Sequence, residues 1–337
     1  MQVIAASLRE RSVSARIVGT AVHTVVPAAD LPVLTARWQA HEATRALGIE
    51  LASSWEPLPG VLSMAGERLD YAGRALVMGI INTTPDSFYP DSRRLDPAVV
   101  AEAALCMRTQ GADLVDIGGE STRPGAAPVS IDEEIRRVVP AVAAVRKAGG
   151  PPVSIDTSKA AVAEAALDAG AAMINDVSGL RDRGLRRLAA ARGVPVVINH
   201  MRGTPRTMQQ NAGYHDTVAE VLRELKMRIN DALDDGVDRH QIVVDPGIGF
   251  GKQVDDNLRL LAGTPALRSL APVLVGVSRK SFIGKVLDAP LEGRLTGTTI
   301  ANTVALLRGA DMIRVHDVPA AAQAVRFVAA VHDAHTG

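Results

Sequence analysis

A chain of 337 residues, 47% hydrophobic and 22% charged, can bury one large core plus an appendage and is too apolar for extended disorder. Lys plus Arg and Asp plus Glu number 37 each, which argues against a general nucleic-acid or membrane-surface binder; any anionic ligand must be met by cations gathered locally. No apolar run approaches the roughly 18 residues that span a bilayer, and no signal-type core follows a basic N-terminus, so the expected location is the cytoplasm.

Residues 1–74 carry no chemical motif and are read as an N-terminal extension. Within them Ile17 to Val26 reads as strand, Leu31 to Leu47 as a helix ending near Gly48, and Trp38 and Trp55 as packing anchors. From Ala75 onward, over residues 75–337, short apolar runs alternate with longer stretches of helical periodicity, which predicts βα units and a parallel sheet. The expected strands are Leu76 to Ile81, Leu114 to Ile117, Val153 to Ile155, Met173 to Ile174, Val196 to Ile198, Ile242 to Val244, Val273 to Val275 and Met312 to Val315, apolar enough to be covered on both faces. Asp96 is a natural N-cap before Pro97, and Val100, Ala103, Ala104 and Met107 mark one helix face before Gly111 ends the helix. The single cysteine, Cys106, is expected in the same helix as a buried small hydrophobe, with no internal disulfide to form. Ser130 and Glu133 form a capping-box pattern. Further helices are expected over Lys159 to Ala169, Arg183 to Arg192, His215 to Asp235, Asp255 to Leu261, Thr296 to Arg308 and Pro319 to Ala334.

Eight such units in about 260 residues match a closed (β/α)8 TIM barrel, whose ligands bind at the loops following the strands; an open doubly wound sheet is the alternative. Asn82, Asp116, Asp156, Asn175, His200, Asp245, Lys280 and Arg314 fall at or just beyond successive strands, and a closed sheet would gather them at one mouth. The stretch Asp245-Pro246-Gly247-Ile248-Gly249-Phe250-Gly251-Lys252 looks like a nucleotide loop. It fails the Walker template, because Pro246 stands where the first Gly belongs and Gln253 replaces the Ser or Thr. A tight turn with a satisfied Asp is the simpler alternative.

Taken in order, further motifs narrow the reading. They are Asn82-Thr83-Thr84-Pro85-Asp86-Ser87-Phe88, Gly118-Gly119-Glu120-Ser121-Thr122-Arg123-Pro124-Gly125, Ser154-Ile155-Asp156-Thr157-Ser158-Lys159, Ile174-Asn175-Asp176-Val177, His200-Met201-Arg202-Gly203-Thr204-Pro205, Ser278-Arg279-Lys280-Ser281 and Arg314-Val315-His316-Asp317-Val318. With the Asp245 loop, they resemble the dihydropteroate synthases of the pterin-binding barrel superfamily over about Ala75 to the C-terminus. The resemblance implies joining of p-aminobenzoate to the methylene of hydroxymethyldihydropterin diphosphate, with release of pyrophosphate, in folate synthesis.

A pterin presents N–H donors beside a ring carbonyl, so its recognition calls for buried carboxylates, an amide and a cation. By resemblance Asp156, Asn175, Asp245 and Lys280 line the pterin pocket. Asn82, Thr122, Arg123, Arg314 and His316 bind the diphosphate, Asn82 also contacting its Mg2+. Phe88, Thr122, Pro124, Phe250, Lys280 and Ser281 form the p-aminobenzoate pocket, which would make the protein a sulfonamide target. The resemblance also implies that Lys280, Asp156, Asp245, Arg314 and His316 carry the catalysis. The partners implied are these small molecules and a second copy of the chain, with no nucleic acid and no membrane.

A zinc site on His200 and His316 competes with this reading but lacks a clear third ligand. So does a pterin-dependent methyltransferase serving a corrinoid protein, which would have no diphosphate for Arg123, Arg314 and His316 to bind. A non-catalytic pterin-binding paralogue is a third reading. The chain also departs from the family pattern. Tyr89-Pro90-Asp91-Ser92 stands for the usual Ser-Asp-Gly-Gly, shifting the loop acid to Asp91, and Asn199-His200 stands where Met-His is common.

Overall fold

The computed structural model describes residues 15–18, 21–24, 58, 60–64, 66–84, 96–121, 126–208 and 213–336. The chain divides into two compact units, Met1–Leu58 and Pro59–Gly337. In the first, strands Ala15–Val18 and Ala21–Thr24 pair antiparallel, so the single strand expected over 17–26 is a hairpin. The helix expected over 31–47, with Trp38 and Trp55, lies outside the described residues.

The second unit starts before the boundary read at residue 75, because it includes an antiparallel hairpin of Val61–Met64 and Glu67–Asp70. Alternation explains why this hairpin belongs to the barrel: Leu62 and Met64 are buried while Ser63 between them is exposed. Arg146 reaches back to it, donating from Nη1 to Glu67 Oε1 at 3.2 Å.

The barrel strands are β1 (Leu76–Asn82), β2 (Leu114–Gly118), β3 (Val153–Asp156), β4 (Met173–Asp176), β5 (Val196–Asn199), β6 (Ile242–Asp245), β7 (Leu274–Val275) and β8 (Met312–Val315). All pairs are parallel, in the order β6-β5-β4-β3-β2-β1-β8-β7. The two ends of that order meet through a parallel bridge between Val244 and Val273, and Val244 N donates to Pro272 O at 2.9 Å. The sheet therefore closes, and the open doubly wound alternative falls. Every expected strand is present.

Strand alternation divides the residues between two environments. Ile81, Ile117, Ile155, Ile174, Ile198 and Val244 pack outward in one core with the helices. Their neighbours one residue away point into the barrel, where Met78, Leu114, Met173, Val197 and Val243 are buried beneath a polar layer. The helices of seven or more described residues are α1 (Pro97–Thr109), α2 (Ile131–Lys147), α3 (Ala160–Asp168), α4 (Arg183–Arg192), α5 (Thr217–Asp234), α6 (Val254–Ala262), α7 (Ser281–Leu287), α8 (Arg294–Leu307) and α9 (Val318–Thr336), and a single helical turn covers Thr264–Leu267. The short α7 after β7 was not foreseen.

Asp96 caps α1 by accepting from Ala98 N at 2.9 Å, with Pro97 at the first helical position. Only half of the second cap forms. Ser130 Oγ accepts from Glu133 N at 3.3 Å, while the Glu133 carboxylate turns to Arg136 and Arg137. Cys106 is exposed, contrary to expectation. Val100, Ala101 and Ala104 hold the buried face of α1, and two residues past Ala104 is a rotation of about 200° at 3.6 residues per turn. Among the described residues no helix is long and apolar enough to cross a membrane.

Candidate active site

Parallel register sets the height of each side chain at the barrel's C-terminal mouth. Asn82 pairs with Gly118, Gly118 with Asp156, Asp156 with Asn175, and Asn199 with Asp245. Residues paired across parallel strands leave the sheet on the same face, so these form one inward rim. They open on a cavity of about 850 Å3 that is also lined by Phe250, Lys280, Ser281, Arg314 and His316. The structure thus brings together Asn82, Asp156, Asn175, Asp245, Phe250, Lys280, Ser281, Arg314 and His316. Phe88, Thr122, Arg123 and Pro124 lie outside the described residues, as does Asp91.

Arg314 organises one side of this rim. Its Nε donates to Asp116 Oδ2 at 2.6 Å and its Nη2 to Asp156 Oδ2 at 2.7 Å, while Asn175 Nδ2 donates to the same Asp116 oxygen at 2.8 Å. Burial pushes the Asp156 carboxyl up to about 7; Arg314 opposes that rise and the neighbouring Asp116 adds to it. Asp116 is fully buried, and its Oδ1 has no hydrogen-bond partner. Sequence reading marked Asp116 as a strand end and gave it no role. The available signal was its position two residues before Gly118, which places it on the inward face beside Arg314.

The opposite side is built on the loop after β6. Asp245 Oδ1 accepts from Gly247 N at 2.7 Å, and burial raises the Asp245 carboxyl against the pull of Lys280. Burial lowers the Lys280 amine to about 8, with Asp245 opposing the change. Lys280 Nζ donates to Ile248 O and lies 4.5 Å from the centroid of Phe250, a cation–π distance. Lys280 does not end β7; it is the N-cap residue of α7. The turn before it is left-handed at Arg279, with φ of 54°, and is held by a bidentate pair from Arg279 to Asp317 at 2.7 and 2.8 Å.

The glycine-rich loop proves to be a fastening rather than a phosphate cradle. Gly247 has φ of +66°, and a Cβ there would stand 1.8 Å from His200 O, so no other residue fits. Lys252, 7% exposed, points back under the loop. Its Nζ donates to Gly247 O at 2.9 Å, to His200 O and Phe250 O at 3.2 Å, and meets His200 Nδ1 at 3.0 Å. Burial lowers this amine to about 7.

His200 is a correction to the expected convergence. Asn199 takes the inward position at the end of β5, so His200 turns outward and its Nε2 meets Glu224 Oε2 of α5 at 3.0 Å. Burial lowers His200 to about 4, which leaves the imidazole neutral with Nε2–H donating to Glu224 and Nδ1 accepting from Lys252. His316 faces elsewhere, with Nδ1 at 3.0 Å from Ser278 Oγ. The zinc reading therefore has no geometry behind it, and among the described residues no group of three or more His, Cys, Asp or Glu could hold a metal ion.

A closed barrel whose mouth aims buried carboxylates, amides and a lysine into one cavity, with an arginine and a histidine alongside, defines an enzyme site for a polar heterocycle carrying an anionic group. The family described as pterin binding enzymes matches residues 78–316. The dihydropteroate synthase of Synechocystis sp. is 43% identical over 268 residues, covering 79% of this chain and 93% of that protein. The Escherichia coli K12 dihydropteroate synthase is 41% identical over 255 residues, covering 75% and 90%. Among solved structures, Xanthomonas albilineans dihydropteroate synthase with 4-aminobenzoic acid has a TM-score of 0.76 at 43% identity and covers 81% of this chain and 98% of that one. The chain belongs to the dihydropteroate synthases of the pterin-binding family.

Proposed function

We infer that the protein joins hydroxymethyldihydropterin diphosphate to p-aminobenzoate, forming dihydropteroate and pyrophosphate for folate biosynthesis. The observation that carries this is the convergence of Asp156, Asn175, Asp245 and Lys280 on one cavity with Arg314 and His316. The carboxylates accept the pterin N–H groups, Asn175 offers both a donor and an acceptor, and Lys280 donates toward the ring carbonyl. The carbon–oxygen bond to the diphosphate breaks, its electron pair leaves with pyrophosphate, and the amine of p-aminobenzoate forms the new carbon–nitrogen bond and gives up a proton. No protein nucleophile is required; the residues position the partners and stabilise the departing charge.

Arg314 has Nε and Nη2 engaged with carboxylates, so it meets the diphosphate with its remaining Nη1 edge. That subsite is assigned further to His316 and Asn82, which line the cavity, and by family resemblance to Thr122 and Arg123. The p-aminobenzoate side is assigned to Phe250, Lys280 and Ser281, which line the cavity, and by family resemblance to Phe88, Thr122 and Pro124. Yersinia pestis dihydropteroate synthase has been solved as a sulfonamide complex, and sulfonamides are proposed to compete for the same subsite here.

Mg2+ fits the donor set if it arrives with the substrate. Asn82 offers one hard amide oxygen, and a magnesium ion keeps waters while bridging phosphate oxygens. Bound there, it would neutralise charge on the leaving group. The protein is assigned to the cytoplasm and to a homodimer. The outward faces of α8 and α9 supply the interface, with Ile300, Val304, Leu307, Phe327 and Val331 exposed on adjoining helices. Light scattering would show a dimer that Phe327→Glu converts to monomer; an unchanged mass would place the interface elsewhere. The functional reading is tested by pyrophosphate release with both substrates, with and without a magnesium chelator. Release that does not depend on p-aminobenzoate, or no release at all, would end it.

A further inference from the structure

Asn199 ends β5 as the Cα partner of Asp245 on β6, so both side chains leave the barrel wall on the inward face. It is 4% exposed and lines the cavity beside Asn175 and Asp245. Its Oδ1 is buried with no hydrogen-bond partner in the protein. The loop after β6 passes close to it: a Cβ on Gly247 would lie 2.7 Å from that oxygen, so only glycine leaves the amide its space. Turning the amide over would put two donors where the oxygen now stands, and a polar group would again lack a partner. Buried polar groups are paired as a rule, and an exception at the floor of a ligand cavity points to the ligand.

We propose that Asn199 is a further pterin-recognition residue, hydrogen-bonding the polar edge of the ring beside the groups met by Asp245 and Asn175. The proposal rests on the dihydropteroate synthase reading and deepens it. A pterin edge alternates N–H donors with nitrogen and carbonyl acceptors, and an amide offers both kinds of group, whereas methionine can only pack. The unliganded protein pays for the unpaired amide in stability, and bound pterin relieves that cost. Stability and affinity should therefore move in opposite directions when the amide is removed.

Asn199→Met is the test, with Asn199→Ala as the second variant should the longer side chain not fit. The unliganded variant is expected to melt at a higher temperature than the natural protein. Calorimetry should show hydroxymethylpterin binding weakened by about tenfold, the worth of one hydrogen bond, while the KM for p-aminobenzoate stays within about twofold. A purely structural asparagine would give a lower melting temperature and unchanged pterin affinity, and either of those results overturns the proposal. The natural protein and Asp245→Asn are measured alongside. If the natural protein neither binds the pterin nor releases pyrophosphate, the functional reading itself fails; if it does both and Asn199→Met binds equally well, only the role of Asn199 fails.

Discussion

Buried and half-buried acids sit at both ends of the barrel and are handled in opposite ways. At the N-terminal end, Asp311 accepts from Arg268 Nη2 at 2.9 Å and from Val273 N at 2.9 Å, and Asp113 takes two donors from Arg74 at 2.6 and 2.9 Å plus Val77 N at 2.8 Å. At the mouth, Asp116 and Asn199 each keep an oxygen without a partner. Asp156 is held up to about 7 by burial, and Lys280 is held down to about 8. The two acids at the closed end are satisfied by the protein itself. The open end is poised for groups that a ligand brings, and desolvation there makes each such group count for more.

Breaking the contrast should be most damaging at Arg314. Arg314→Ala leaves Asp116 and Asp156 without their cation, a loss of about 3 to 5 kcal/mol for a buried pair, and kcat/KM should fall by at least about 10^3. Because Arg314 holds Asp156 as well as facing the diphosphate, calorimetry should show weaker binding of the bare pterin too. Undiminished bare-pterin affinity would detach Arg314 from the pterin side.

Asp156→Asn comes next. It offers a donor to donors and should cost about 1.5 to 3 kcal/mol of pterin affinity while the barrel stays folded. Acid should mimic it in the natural protein, because protons compete with the pterin for the carboxylate. Affinity is expected to fall as pH drops through about 7, by up to about tenfold per unit, and Asp156→Asn should abolish that dependence. Stability has the opposite sign. A carboxyl raised from 3.8 to about 7 leaves the unliganded fold most stable below its unfolded value and weakens it as pH rises through about 7. Denaturant titrations of the two proteins across that window would sharpen the comparison, and identical profiles would remove Asp156 as the titrating group.

At the closed end Arg268→Ala should lower stability by about 2 kcal/mol, less than a fully buried pair because the arginine is partly exposed, and leave kcat/KM per folded molecule within about twofold. A large loss of turnover would mean that the two ends are not separable. The smallest effect is expected from a chain beginning at Pro59, which keeps the hairpin of residues 61–70 and every barrel strand and should retain turnover per folded molecule. Starting instead at Ala75 removes Leu62, Met64 and Tyr71 from their buried positions and should lower the unfolding temperature. Equal stability of the two shortened chains would return the boundary to 74.

Local pattern alone determined the eight strands of this protein and the height of Asp156, Asn175, Asp245 and Arg314 at their ends, because a strand covered on both faces must be apolar until it leaves the sheet. It also separated the chain from nucleotide loops, through Pro246 and Gln253. It misplaced Cys106, since an alanine-rich helix leaves its buried face weakly marked. It could not tell that Lys252 fastens the loop it belongs to, because only packing shows which carbonyls meet its amine under that loop. The role of Asp116 and the outward turn of His200 likewise came from barrel closure. Register between strands fixes which of two adjacent residues looks inward, and register is a property of pairs of segments far apart in the chain.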